Sequence, residues 1–134
     1  MASALKFPAK LSEATEAGDK FVRLFYETFD KRRQVIKGLY SETSFLVWNG
    51  HTKSGVEDIN TFYQNLPSSQ HSIQSFDCQP VSDDHSQTTV LVCCEGEVCY
   101  DERQSNRHTF SQNFLLVKQS DVWKVGSDCF RFLE

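Results

Sequence analysis

The chain has 134 residues, of which 39% are hydrophobic and 13% aromatic, and its formal net charge is −4. This apolar content excludes an intrinsically disordered chain, and the length predicts one domain, residues 1–134, that buries about two-thirds of its unfolded surface. The acidic balance excludes a domain that binds nucleic acid by itself, because phosphate contacts need clustered Lys and Arg.

The beginning of the sequence and its cysteines indicate the cellular compartment. The N-terminal residues lack the apolar stretch of a signal peptide, and no run approaches the roughly 18 apolar residues of a membrane span. We therefore expect a reducing compartment and no membrane partner. No cysteine spacing is typical of zinc, so we expect no metal and no cofactor, with the cysteines serving as small buried hydrophobic residues. They are Cys78, Cys93, Cys94, Cys99 and Cys129.

The first half of the chain favours helices. The spacing predicts a helix over 9–29, because its apolar residues recur every three or four positions. A second short helix is predicted over Lys31–Leu39, then a short strand over Thr43–Trp48 that ends at the turn signal Asn49-Gly50. A third helix follows over 56–66, where Pro67 stops it. The stripe of the first helix is Leu11, Ala14, Gly18, Phe21, Val22, Phe25 and Phe29.

The second half favours long strands. Residues 70–81, 87–100, 107–118 and 122–132 are rich in β-branched and aromatic residues, and short polar connectors separate them. Short connectors between long strands predict antiparallel neighbours, so the four strands form a meander that curls. The three N-terminal helices then cover one face of this sheet, which gives an α+β fold.

The second face of the predicted sheet carries too many apolar residues for a surface exposed to water. In the strand 107–118, Phe110, Phe114 and Leu116 face the helices, which leaves Ser111, Asn113 and Leu115 outward. In the last strand the outward set is Trp123, Val125, Ser127, Cys129, Arg131 and Leu133. A sheet with helices on one side should alternate apolar and polar residues. Two interpretations stay open: bulges shift the alternation so that both sets are partly core, or the outer face binds a protein, with Arg131 available for a carboxylate.

Several short strings, in order from about residue 21 to residue 133, carry a family resemblance. The chain resembles the nuclear transport factor 2-like family and, within it, the small subunits of mRNA export heterodimers. The strings are Asp30-Lys31-Arg32-Arg33 with Leu39-Tyr40, Val47-Trp48-Asn49-Gly50, Leu66-Pro67-Ser68-Ser69, Asp77-Cys78-Gln79-Pro80-Val81, 86–92, Gln112-Asn113-Phe114, and Val122-Trp123-Lys124 leading into 127–132.

The resemblance implies a cone-shaped α+β fold, in which a curved antiparallel sheet wraps on the helices. It implies a non-enzymatic cofactor of nuclear mRNA export, whose sheet face pairs with the homologous domain of a large nuclear RNA export factor. The large subunit carries the RNA-binding modules, and the pair shuttles between nucleus and cytoplasm by contacting phenylalanine-glycine repeats of nucleoporins at the nuclear pore. The family role of pairing with an acidic group carries to Arg131, and Gln79 enters the interface from its family string.

The residues we expect to bind the partner are thus Arg131, Cys129, Ser111, Asn113, Leu115 and Gln79. One alternative is a homodimeric nuclear import carrier that binds a small GTPase, which the matching strings favour less than the export subunit. The resemblance also brings in enzymes, because isomerases and dehydratases share the fold and work inside the cone.

An enzyme would need a buried acid and base in the cone. The candidates are Tyr26, Asp30, His71, His108 and Asp128. Each has a structural interpretation: Tyr26 as a core residue, Asp30 as a helix cap or ion-pair partner, the two histidines as exposed residues, and Asp128 as an inward hydrogen-bond acceptor. We expect no catalysis. The basic run Lys31–Arg33 suits either a phosphate contact or a solvated helix face, and its acidic neighbours favour the solvated face.

Overall fold

The computed structural model describes residues 2–81 and 88–133, so the predicted connector Ser82–Ser86 lies outside the described residues. The elements are helix α1 (Ala2–Lys31), 3-10 helix η1 (Arg33–Leu39), strands β1 (Tyr40–Trp48) and β2 (His51–Ser54), helix α2 (Val56–Gln64), strands β3 (Ser69–Val81) and β4 (Thr88–Tyr100), 3-10 helix η2 (Gln104–Asn106), and strands β5 (Arg107–Gln119) and β6 (Val122–Phe132).

The first helix buries the predicted stripe. It begins seven residues before the predicted start at residue 9, and its buried positions include Ala14, Phe21, Val22, Phe25 and Phe29. The side chain of Leu11 is outside the description. Gly18 lets α1 approach the sheet closely, because a Cβ at this position would lie 1.9 Å from Cys78 Sγ. The helix therefore packs against β3 with almost no space between them.

The described residues form one curved six-stranded sheet in the order β2-β1-β6-β5-β4-β3. Strands β3 to β6 form the predicted antiparallel meander, and their bounds agree with the prediction to within one residue. The expectation of a wholly antiparallel sheet is wrong, because β1 pairs with β6 in parallel. Parallel pairing joins segments far apart in sequence, and no local pattern predicts it.

The segment between α1 and α2 differs from the prediction in two places. Residues Arg33–Leu39 form a 3-10 helix, and β1 begins at Tyr40, three residues before its predicted start. The Asn49-Gly50 turn is confirmed: both residues have positive φ, 48° and 87°, as a two-residue hairpin turn requires. It joins β1 to β2, a strand of four exposed residues that the sequence pattern did not indicate.

A bulge in β6 changes which residues face the core. Leu115 pairs with Ser127, but the next residue, Leu116, pairs with Val125, so Gly126 is an extra residue in β6. An extra residue shifts the alternation by one position. The prediction that Val125 and Trp123 face outward is therefore wrong: Val125 is fully buried and Trp123 packs against the core. The bulge interpretation is right for these two residues.

The inner face of the sheet and the helices enclose an aromatic core. Phe25 of α1 meets Phe114 of β5 edge-on, with ring centroids 4.7 Å apart. Trp48 stacks on Phe130 at 3.8 Å. Alternation also predicts that Phe130 and Phe132 of β6 face inward with Phe110 and Phe114 of β5; three of these are buried, and Phe132 is half-buried against the core. None of the described helices covers the opposite face of the sheet, and this face carries the predicted binding residues.

Candidate functional site

Strand register brings the predicted binding residues onto one surface. Ser111 lies opposite Arg131, and Asn113 lies opposite Cys129. Leu115 lies opposite Leu91, which in turn lies opposite Gln79. The residues therefore occupy adjacent rows across β3 to β6 and share one direction, as their spacing in the sequence predicts.

We call this surface the outer face. Its members are all exposed or half-buried; in β1, β4 and β5 they alternate with buried residues, and in β3 with half-buried ones. Phe45 is 55% exposed and lies in one row with half-buried Leu115 and Leu91, and contiguous apolar surface of this kind often marks an interaction site. The outer face comprises Phe45, Val47, Asp77, Gln79, Leu91, Cys93, Glu95, Ser111, Asn113, Leu115, Ser127, Cys129 and Arg131.

Arg131 is the cation at the β6 side of the outer face. Its side chain is exposed, and within residues 2–81 and 88–133 no carboxylate forms an ion pair with it. Nearby, Arg107 does have such a partner, since its guanidinium lies 3.1 Å from Glu97. An exposed guanidinium without an ion pair suits a bidentate contact with a carboxylate from another molecule.

The inner side of β6 carries a carboxylate in the core. Asp128 is 1% exposed, and its oxygens accept hydrogen bonds from Tyr40 (2.6 Å), Tyr63 (2.5 Å) and the Gln112 amide (2.8 Å). Burial raises the pKa of Asp128 to about 6, although these three hydrogen bonds oppose the shift. The prediction of an inward Asp128 is confirmed. All three of its hydrogen-bond partners are side chains.

The Asp128 network extends to the first helix. The Tyr26 hydroxyl donates a 2.7 Å hydrogen bond to Gln112 Oε1. Burial raises the pKa values of Tyr26, Tyr40 and Tyr63 well above the usual value for tyrosine. The three tyrosine hydroxyls, the Gln112 amide and the Asp128 carboxylate form hydrogen bonds with one another, and Gln112 is fully buried. The geometry therefore suits a structural network that joins α1, β1, α2, β5 and β6.

A second polar cluster joins the end of α1 to the start of β3. Asp30 accepts hydrogen bonds from the Ser69 hydroxyl (2.7 Å) and the His71 backbone N–H (2.8 Å), and its Oδ1 lies 2.7 Å from His71 Nδ1. Burial alone would raise the pKa of Asp30, but the contacts with His71 and Ser69 lower it overall. Asp30 therefore joins α1 to β3 as a hydrogen-bond acceptor, and it is not a helix N-cap because it lies in the last turn of α1.

The expectation that both histidines are exposed is wrong. The side chain of His71 is 0% exposed, because its ring packs between Tyr26 and Phe29, and His108 is half-buried. His71 faces inward because it lies opposite Val98, on the core side of β4. In the sequence, the burial of His71 is indicated by alternation alone: His71 lies two residues after the buried Ser69 and therefore faces the same side of β3.

The basic run after Asp30 divides into two parts. Lys31 and Arg32 are exposed, as the solvated-face interpretation predicts. Arg33 is different: its guanidinium donates hydrogen bonds to the carbonyls of Leu66 (2.5 Å) and Pro67 (2.7 Å) and to the Ser69 hydroxyl (3.0 Å). Arg33 therefore holds the loop between α2 and β3, which leaves its donors unavailable to phosphate.

The cysteines are only partly buried. Cys94 and Cys99 are buried, as expected, but Cys78 and Cys93 are half-buried and Cys129 is exposed. Cys93 and Cys94 face opposite sides of the sheet, as adjacent strand residues must. Exposure of Cys129 follows from its place on the outer face, so the description of all five as buried is wrong.

Two further structural properties concern metals and membranes. In the part of the chain that the structure describes, no three His, Cys, Asp or Glu side chains cluster in the way that metal binding requires. Over the same residues, no helix combines the length and the apolar character needed to cross a membrane.

Comparison with known proteins identifies the family. The nuclear transport factor 2 (NTF2) domain model matches residues 17–132, so the chain belongs to the NTF2 domain family. NTF2-related export protein 2 of Homo sapiens is 45% identical over 138 residues, which cover 98% of this chain and 96% of that protein.

Solved structures agree on the fold. The structure of nuclear transport factor 2 from Cryptosporidium parvum matches with a TM-score of 0.79 at 28% identity. The match covers 90% of this chain and 94% of that chain. A chain of the C. albicans Mtr2–Mex67 M domain complex has a TM-score of 0.71 at 14% identity and covers 90% and 95%, respectively. The α+β cone predicted from the resemblance is confirmed.

Proposed function

We propose that this chain is a non-enzymatic cofactor of nuclear mRNA export. In this proposal its outer face binds the homologous sheet domain of a large nuclear RNA export factor, and the complex contacts phenylalanine-glycine repeats of nucleoporins. The chain then shuttles between nucleus and cytoplasm through the nuclear pore. RNA contact is left to the large subunit, in keeping with the net charge of −4 on this chain.

The observation that carries the proposal is the outer face itself. It presents Phe45, Leu91 and Leu115 to solvent, together with a guanidinium that has no ion pair among the described residues. Interfaces are enriched in aromatic residues and Arg, and a stable pair buries about 1,600 Å2 in total. The relatives named NTF2-related export protein, at 43–45% identity, support an export partner for this face. The Mtr2–Mex67 complex supports it by analogy of fold alone.

The interior favours a structural role over catalysis. A catalytic carboxylate must reach substrate, whereas Asp128 is 1% exposed and already accepts three hydrogen bonds. The Asp30–His71 pair is enclosed by aromatic rings of α1. We therefore propose no reaction for this chain.

Co-expression with the sheet domain of a Mex67-type export factor from the same organism tests the proposal. We expect a 1:1 complex in size-exclusion chromatography with mass measurement. A disruptive variant, Leu115→Glu, places a charge in the middle of the outer face and leaves the inner core unchanged. This variant should abolish the complex. A wild-type chain that stays monomeric beside the export-factor domain would overturn the proposal, whereas a stable homodimer able to bind a small GTPase would favour the import-carrier alternative.

A further inference from the structure

The outer face carries an acidic residue in the same row as Arg131. Glu95 lies opposite Ser111, and Ser111 lies opposite Arg131. All three face outward, and Glu95 and Arg131 are exposed. Neighbouring strands are about 4.8 Å apart, so Glu95 and Arg131 stand about 10 Å apart on either side of Ser111. The two described side chains form no ion pair with each other.

The charges of the outer face are sorted by strand. The β3–β4 side carries the carboxylates of Asp77 and Glu95, and the β6 side carries Arg131. The neighbouring carboxylate Glu97 already has a cation, Arg107, at 3.1 Å. Across the described ranges, neither Asp77 nor Glu95 forms an ion pair. The outer face is therefore polarised, with Ser111, Asn113 and Leu115 of β5 between a negative and a positive side.

We propose that Glu95 is a second charged anchor of the outer face and takes an Arg or Lys side chain from the sheet domain that covers it. This inference rests on the proposed heterodimer and adds the chemistry of the partner. The partner presents a cation over β4 and a carboxylate over β6, at the spacing of Glu95 and Arg131. Two opposite charges at a fixed spacing select one orientation, because the reversed orientation brings like charges together.

Charge complementarity argues for a protein sheet as the occupant. A nucleic acid or an anionic membrane surface would be repelled by Asp77 and Glu95 on one side of the face. A polarised partner surface satisfies both sides at once. Half-buried Leu115 on β5, and exposed Phe45 on β1 beyond β6, then meet apolar residues of the partner. Since Ser111 lies midway between Glu95 and Arg131, a second copy of this chain is the competing occupant, and charge reversal distinguishes the two.

Charge reversal on the complex with the Mex67-type sheet domain tests the anchor. Glu95→Lys should lower the association rate constant about tenfold at low ionic strength, and the difference should shrink as salt screens the charges. Glu95→Gln should have a smaller effect in the same direction. The matched control is Glu27→Gln, which removes an exposed carboxylate from α1. It should leave the association and dissociation rate constants unchanged.

The outcomes separate this inference from the proposed function. If Glu95→Lys binds as fast as wild type while Arg131→Glu binds poorly, Glu95 is not an anchor. The proposed heterodimer would then still stand. A wild-type chain that forms no complex overturns both. If the free Glu95→Lys and Arg131→Glu chains pair with each other but not with themselves, the occupant is a second copy, and the proposed partner chemistry is wrong.

Discussion

The Tyr40 hydroxyl donates a 2.6 Å hydrogen bond to the Asp128 carboxylate, which joins the first residue of β1 to the inner side of β6. This contact lies beside the parallel pairing of β1 and β6, the one parallel pair in the described sheet. A buried carboxylate with neutral partners is therefore part of what holds the two strands together. Its position in the core makes the stability of the domain depend on pH.

We predict that the stability contributed by Asp128 falls as pH rises. Burial raises the pKa of Asp128 from 3.8 to about 6, so the folded state favours the protonated carboxyl. The contribution is complete below about pH 4 and is lost through pH 6, a difference of about 3 kcal/mol by pH 7. Urea unfolding of wild type and Asp128→Asn across this range measures it. A constant difference between the two proteins would contradict the prediction.

Asp30 should show the opposite dependence. Contacts with His71 and Ser69 lower the pKa of Asp30 overall, despite the opposing effect of burial, so the folded state favours its ionised form. The stability it contributes is complete at neutral pH and is lost as pH falls below about 4. Asp30→Asn should cost about 1–3 kcal/mol at pH 7, because the His71 and Ser69 donors lose an acceptor. The same unfolding series checks this, and a cost that grows on acidification would contradict it.

Gly96 should tolerate no side chain. A Cβ at this position would lie 2.2 Å from the Ser72 carbonyl oxygen, where β3 crosses close to β4 next to its bulge. Because the obstacle is backbone, Gly96→Ala should lower the free energy of unfolding by about 1–3 kcal/mol or more. Gly38→Ala is the matched control, since no atom lies within 4 Å of its added Cβ. Thermal unfolding of both variants gives the answer, and equal melting temperatures would sink the idea.

Arg131 should matter for binding and not for folding. It is exposed, so Arg131→Ala should change the free energy of unfolding by less than about 0.5 kcal/mol. Binding of the export-factor domain should weaken by about 2–5 kcal/mol, because a partner carboxylate is left buried and unpaired. Calorimetric titration measures this loss. Arg131→Lys should restore only part of the affinity, since Lys lacks the planar fork of Arg.

Cys129 should report on occupancy of the outer face. It is the exposed cysteine among the described ones, whereas Cys94 and Cys99 are buried. A maleimide reagent should therefore label Cys129 first in the free chain and much more slowly in the complex, as followed by mass spectrometry. Cys129→Ser is the control for labelling elsewhere. Equal labelling rates with and without the partner would place the interface away from β6.

The long strands were predictable from sequence because each combines alternation with polar connectors. Strand β5 illustrates this: the alternate positions Phe110, Phe114 and Leu116 are all fully buried. Strand β2 lacked such a signal, since its four residues are exposed on both sides. The Asn49-Gly50 turn was the clue that a strand follows, because this dipeptide typically joins two paired strands.

The candidate site was predictable in part. Alternation placed Ser111, Asn113, Leu115, Cys129 and Arg131 on one face, and strand register brings them into adjacent rows. Alternation failed at Val125 because a single extra residue reverses the parity of everything before it in β6. Gly126 within a strand was the available signal, since Gly often marks a bulge. The Asp128 network was beyond prediction, because it joins residues from five separate elements.

The two tryptophans of the chain lie on neighbouring strands, Trp48 at the end of β1 and Trp123 near the start of β6. Trp48 is stacked on Phe130, whereas Trp123 lies seven residues earlier in the same strand as that phenylalanine and is only partly buried, beside Lys118. At about 3.3 Å per residue, the two indoles are roughly 20 Å apart. The intrinsic fluorescence of this domain therefore contains two distinct signals. The emission of Trp48 follows the aromatic core, while that of Trp123 follows the packing of α1 against the bulged end of the sheet.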